Sequence, residues 1–246
     1  MKKRIAVLAA LAEELLPFRD RLRIQKTLYA DSHFRFDLGC GDFFPGEIAI
    51  GVTGVGKVLS AMATQRLFGL FEPEHIYLIG SCGGATQGVS PGDVIVASST
   101  AQSDYDLTCS GREIGVIKGP SGDLPSFLPT DEEFVARALA VACSFKSVEG
   151  RIPHRQSGLM STRDSLETDL SVLRRIELSF PYLAWEMEAA AVHLVAWLNG
   201  CPFNVIKGVL DQYGVYDREF SRRNEAAINF NAAELLMETL ASFAIG

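Results

Sequence analysis

Three apolar runs in this sequence lie beside carboxylates. Residues 5–10 lead to Glu13 and Glu14, residues 205–210 end at Asp211, and Glu186-Met187-Glu188 opens an alanine-rich stretch. The carboxyl ends of strands in parallel sheets are where ligands bind, and two carboxylates there can divide general-acid and general-base work. Asp211 is placed to act as an acid and Glu13 or Glu14 to act as a base. A carboxylate at Glu188 could accept hydrogen bonds from a sugar diol, with Met187 packed on the ring face. Each acid also has a plainer reading. Asp211, Glu13 and Glu14 suit helix N-caps, and Glu186 or Glu188 suits the positive end of a helix dipole.

The remaining motifs narrow the chemistry. Gly80-Ser81-Cys82-Gly83-Gly84 follows an apolar run, and glycines there let a ligand approach the backbone. The run is not GxGxxG, so no dinucleotide cofactor is expected. Gly51 to Lys57 fits GxxxxGK, but Val58 stands where a Mg²⁺-binding hydroxyl belongs, so the NTPase reading is disfavoured. His33, His75, His154 and His193 have no partners at metal spacing. The five cysteines (Cys40, Cys82, Cys109, Cys143, Cys201) are odd in number and form no CxxC. They are expected to be free thiols in a reducing compartment, without a zinc knuckle or redox dithiol. No metal and no cofactor is expected, and no GxSxG elbow is present.

Positioning such residues requires alternating elements. Strands are expected at residues 5–10, 47–53, 75–79, 94–99, 158–161 and 203–210. The strand at 75–79 should be broken by the glycines that follow. Helices are expected at 12–21, 57–71, 130–145, 186–198 and 224–243. The helix at 57–71 carries apolar Val58, Ala61, Met62 and Leu67 at helical spacing. The helix at 130–145 is expected to be capped by Thr130, with Glu133 at the capping-box offset. Residues 105–129 read as a loop. Alternating strands and helices imply an α/β fold, a single domain over residues 1–246 with a central, mixed, mostly parallel sheet flanked by helices.

Composition agrees. The 246 residues are 48% hydrophobic and 22% charged, with a net charge of −7. This is the make-up of a globular chain, and its acidity argues against a nucleic-acid partner. Met1-Lys2-Lys3-Arg4 and the apolar residues after it resemble a short secretory signal, but a first buried strand explains them better. No apolar run reaches the roughly 18 residues of a membrane span. A cytoplasmic location is expected.

In this order the motifs resemble the nucleoside phosphorylase superfamily, which contains phosphorylases and dimeric nucleosidases. The similarity is greatest to the 5′-methylthioadenosine/S-adenosylhomocysteine nucleosidases. It rests on residues 10–14, on Gly54-Val55-Gly56-Lys57, on residues 80–84 with Gly92-Asp93-Val94, on Glu186-Met187-Glu188-Ala189 and on the strand ending at Asp211. The resemblance implies hydrolysis of an N-glycosidic bond through an oxocarbenium-like transition state. Asp211 then matches the acid that protonates the purine at N7, and Glu14 matches the base that activates water. Met187 and Glu188 match the ribose contacts, and Ser81, Cys82 and Gly83 match the lining of ribose and base. Ser165 and Leu166 take the place of a base-stacking Phe and its apolar neighbour. Lys207 replaces an Arg that helps position the water, and Leu210 replaces a small residue beside the acid. These departures leave the base open, and Arg163 could reach an acidic or 6-oxo group on it. Tyr213, Tyr216 and Phe220 are candidates to stack on the ligand or cap its 5′ side. The superfamily's phosphorylases hold phosphate through an Arg where Leu78 stands here and another in the first loop, which here has no Arg before Arg19, so water is the expected nucleophile. The resemblance also implies a homodimer. The alternatives are a phosphate-dependent purine nucleoside phosphorylase, a hydrolase of another modified nucleoside (futalosine-type), and a non-catalytic nucleoside-binding domain.

Overall fold

A computed structural model describes residues 3–29, 31, 33–85, 88–166, 169–212, 215 and 217–244. In chain order the elements are β1 (Lys3–Ala9), α1 (Ala12–Arg19), β2 (Arg23–Tyr29), β3 (Arg35–Gly41), β4 (Phe44–Val52), α2 (Lys57–Leu70), β5 (His75–Gly84), β6 (Val94–Gln102), β7 (Ile117–Gly119), β8 (Gly122–Leu124), β9 (Leu128–Pro129), α3 (Glu132–Ala140), β10 (Arg155–Thr162), α4 (Leu170–Ser179), β11 (Ala184–Glu186), α5 (Ala189–Leu198), β12 (Phe203–Gln212) and α6 (Arg218–Ser242).

Ten strands form one mixed sheet in the order β11-β10-β6-β12-β5-β1-β4-β3-β2, with β9 on β6, and β7 and β8 pair apart from it. Parallel pairings join β4, β1, β5 and β12, and also β6, β10 and β11. β12 meets β6 antiparallel. The end of β11 also pairs antiparallel with the end of β5, through Ala184 with Gly84 and Trp185 with Gly83. That contact closes β5, β12, β6, β10 and β11 into a ring. The residues that resembled a signal peptide form β1, an internal strand buried from Ile5 onward.

Helices cover both faces. α1, α3 and α6 pack over a core that contains Val7, Ile48, Ile79, Val96 and Leu236. α2 and α5 pack together over Leu8, Ile76, Leu78, Val192 and Val205. Gly208 in β12 leaves room for α6, since a Cβ there would meet Ile228.

Several expected boundaries are corrected. β5 runs through the glycine segment to Gly84, because β12 and β11 pair with it there. The helix expected from Thr130 starts at Glu132 and ends at Ala140. Asp131 caps it, accepting from Phe134 N at 2.8 Å, because the Thr130 hydroxyl donates to Ala97 O instead. The helix expected from Glu186 begins at Ala189, and Glu186 ends β11. Residues 105–129 hold a 3₁₀ turn, the β7–β8 hairpin and β9. Of the apolar positions expected to face the core in α2, only Leu67 is fully buried. Ser60, Ala63, Thr64 and Leu67 are buried, while Val58 is 77% exposed and Met62 43%. Ser60 and Thr64 tolerate burial by donating their hydroxyls to Lys57 O and Ser60 O.

Candidate active site

β5, β12 and β11 bring the sequence's carboxylates together. Glu14 lies in the first turn of α1 and is buried. Its Oε2 accepts from Ala10 N and Leu11 N, each at 3.0 Å. Its Oε1 accepts from Ser81 N at 2.8 Å and Ser81 Oγ at 3.0 Å. The carboxylate lies directly over Gly80, where a Cβ would come within 2.5 Å of Glu14 Cδ. Glu14 therefore faces the cluster, whereas Glu13 is exposed.

Lys207 stands opposite Gly80 on β12 and is 1% exposed at its side chain. Its Nζ lies 3.6 Å from Glu188 Oε2 and 3.7 Å from Glu186 Oε2, and no hydrogen-bond partner reaches it. Burial alone would lower its pKa. The carboxylates of Glu14, Glu188 and Glu186 outweigh that and hold it above the ordinary lysine value.

Glu186 is the true cap of α5. Its Oε2 accepts from Glu188 N and Ala189 N at 2.8 Å, and its Oε1 accepts from Thr162 Oγ1. Burial pushes its pKa up to about 7, with Lys207 opposing and Glu188 adding to the rise. Glu188 Oε1 accepts from Gly56 N at 2.9 Å, and Asp164 Oδ1 accepts from Lys57 N at 2.8 Å. Two carboxylates thus occupy the start of α2, where a P-loop would hold phosphate, and Lys57 pairs with Asp104 at 2.6 Å. Met187 is half-buried in the turn between Glu186 and Glu188.

Asp211 directly follows the apolar run and is the penultimate residue of β12. A bulge between Val209 and Asp211 sets it opposite Gly83. A Cβ on Gly83 would strike Trp185 Nε1 and come within 2.7 Å of Asp211 Oδ1. The bare glycine therefore lets two side chains lean over β5 from its two sides. Burial pushes the Asp211 carboxyl up to about 6. A cavity of about 380 Å³ opens beside it, lined by Leu210, Asp211, Gln212, Val215, Asp217 and Phe220 among others. Cys82 is buried between, and burial raises its thiol well above the ordinary value. A cavity of this size is within the range of small-molecule sites.

Not every expected residue joins this cluster. Ser165 and Leu166 are exposed beyond Asp164, in contrast to the buried groups. Tyr213 and Tyr216 lie outside the described residues. Gly92-Asp93 serves the fold, since Asp93 is buried and bound by Arg151 Nη1 at 2.6 Å and His154 N at 2.9 Å. Two groups that the sequence reading did not place are Trp185 and Thr162, whereas Glu186 lies at the start of a helix as expected. Only the position of Trp185, directly before the Glu-Met-Glu run, hinted at its place.

The family model described as the phosphorylase superfamily matches residues 4–242. A 5′-methylthioadenosine/S-adenosylhomocysteine nucleosidase from Marinomonas sp. (strain MWYL1) is 34% identical over 72% of this chain and 74% of its own. The structure of an S-adenosylhomocysteine nucleosidase from Streptococcus pyogenes, in complex with 5-methylthiotubericidin, superposes with a TM-score of 0.84. It is 27% identical, with 98% of this chain and 97% of that one covered. The futalosine hydrolase of Helicobacter pylori shares the fold, with a TM-score of 0.85 at 22% identity over 98% of this chain and 99% of that one. The relatives named as nucleosidases are N-glycosyl hydrolases by name.

Proposed function

The chain belongs to the phosphorylase superfamily, and from that premise we propose that it is a purine nucleosidase. It hydrolyses nucleosides of the methylthioadenosine/S-adenosylhomocysteine type, the substrates for which its relatives are named. Residues 1–246 form one catalytic domain of this kind, acting in the cytoplasm as a homodimer.

One observation carries the reading. A carboxyl raised to about 6 and an ionisable carboxylate flank a single strand segment, Asp211 over Gly83 and Glu14 on Ser81. Asp211 gives its proton to purine N7 as the C1′–N9 bond breaks and its electron pair passes to the base. Water attacks C1′, and Glu14 takes its proton. Glu188 and Met187 hold the ribose, with Ser81, Cys82 and Gly83 as the floor. Lys207 fixes the direction of the carboxylates around it.

Phosphorolysis finds less support. A phosphate dianion would have to approach a buried cluster of three carboxylates and one ammonium. A different modified purine nucleoside is the second reading. It is favoured by Ser165, which offers no aromatic face to the base.

The test is Asp211→Asn. General-acid catalysis is worth roughly 10²–10⁴-fold, and that loss is expected in base release with the fold retained. Wild-type activity should fall as pH rises through about 6, where Asp211 loses its proton. Near-normal release by the variant would refute the assignment.

A further inference from the structure

Trp185 is 5% exposed, and its indole N–H has no hydrogen-bond acceptor. A buried donor without a partner is costly, and such groups are few in folded proteins. The position of this one suggests its use. Trp185 and Asp211 both register with Gly83, from opposite neighbouring strands. Because Gly83 carries no side chain, the indole Nε1 and the Asp211 carboxyl converge on one point over the strand. Asp211, one of the two groups at that point, also lines the cavity beside Leu210. The guanidinium of Arg163 lies 4.5 Å from the Trp185 ring and adds positive potential on the same side.

We propose that Trp185 selects the base, its N–H donating to the substituent at purine position 6 while Asp211 protonates N7. The inference rests on the nucleosidase reading and changes only which base fits it best. The N7 edge of a 6-oxopurine presents two acceptors, N7 and O6. The same edge of adenine presents an acceptor and an amino donor. Two donors side by side match the 6-oxopurine and oppose the amino group.

The experiment compares kcat/KM for 5′-methylthioinosine and 5′-methylthioadenosine in the wild type and in Trp185→Phe. The Phe variant keeps an aromatic under Arg163 and loses only the donor. The wild type is expected to favour the 6-oxo substrate. The variant should lower the 6-oxo to 6-amino ratio by about tenfold, the value of one hydrogen bond. Calorimetric affinities of wild type for free hypoxanthine and adenine give a readout that does not depend on the variant folding, and hypoxanthine should bind more tightly. Turnover that favours the adenine substrate, with a ratio unchanged in Trp185→Phe, overturns the inference and leaves the nucleosidase reading standing. Hypoxanthine bound more tightly than adenine, with no base released from either nucleoside, supports the inference and refutes that reading. Adenine bound as tightly as hypoxanthine overturns the inference whatever the rates.

Discussion

Lys207 is the residue on which the buried charges depend. Three carboxylates point toward its ammonium, and nothing else cationic is seen against them among the described contacts. Lys207→Met removes the charge and keeps most of the volume. It should destabilise the protein by about 3–5 kcal/mol, the usual effect of stranding buried ions. The loss should be pH-dependent. Glu186 is already raised to about 7 by burial, so the folded state binds its proton more tightly than the unfolded chain does. A raised carboxyl contributes stability that is present below its unfolded value of about 4.3 and lost as pH rises through the folded one. Without Lys207 the folded value climbs further, so denaturant melts should show a larger deficit at pH 8 than at pH 5. A uniform deficit would contradict the account. Glu14, Glu188 and Asp211 were legible in the sequence because each follows or precedes a strong apolar run. The places of Trp185 over Gly83 and of Thr162 beside Glu186 were not legible, because they depend on lateral pairing of β11 with β10 and β5, which local periodicity does not encode.

At the scale of elements, α2 misled the periodicity argument and makes a prediction through that error. Val58, Leu59 and Met62 lie together on one side of α2, and all are exposed, as is Val55 just before the helix. Leu59 and Met62 line a groove of about 760 Å³ with Leu15, Leu16 and Val52. An apolar helical stripe left in water marks an interface, and the occupant proposed here is a second copy of the chain. The wild type should elute in sizing chromatography at twice its 26.8 kDa mass, and Val58→Glu should elute at the single-chain mass with an unchanged melting temperature. A wild-type peak at the single-chain mass would sink the dimer. The other elements were legible to differing degrees. β1, β4 and β12 were clear as apolar runs. β2 and α4 were missed, because Arg23–Tyr29 is an outer strand with mostly exposed side chains and α4 shows only Leu173 fully buried.

For the whole molecule, sheet closure and charge together set the surroundings of the candidate site. Pairing of β11 to β5 places the Trp185 and Asp211 side chains over one glycine. The same ring puts Glu186 and Glu188 beside Lys207, and α1 adds Glu14 to the cluster. The net charge of −7 adds to a site already rich in carboxylates. Such a field opposes a phosphate dianion and leaves neutral water and a neutral nucleoside unaffected. The α/β class, the covered sheet and the order of the motifs were readable from composition and alternation. The ring closure was not, because the short strand at Ala184–Glu186 carries no repeating pattern. The most direct test of the account is to measure purine base release from 5′-methylthioadenosine and 5′-methylthioinosine by chromatography, with and without inorganic phosphate. The account predicts free base and free sugar at a rate that phosphate leaves unchanged. Strict dependence on phosphate, with a sugar 1-phosphate as product, would contradict it.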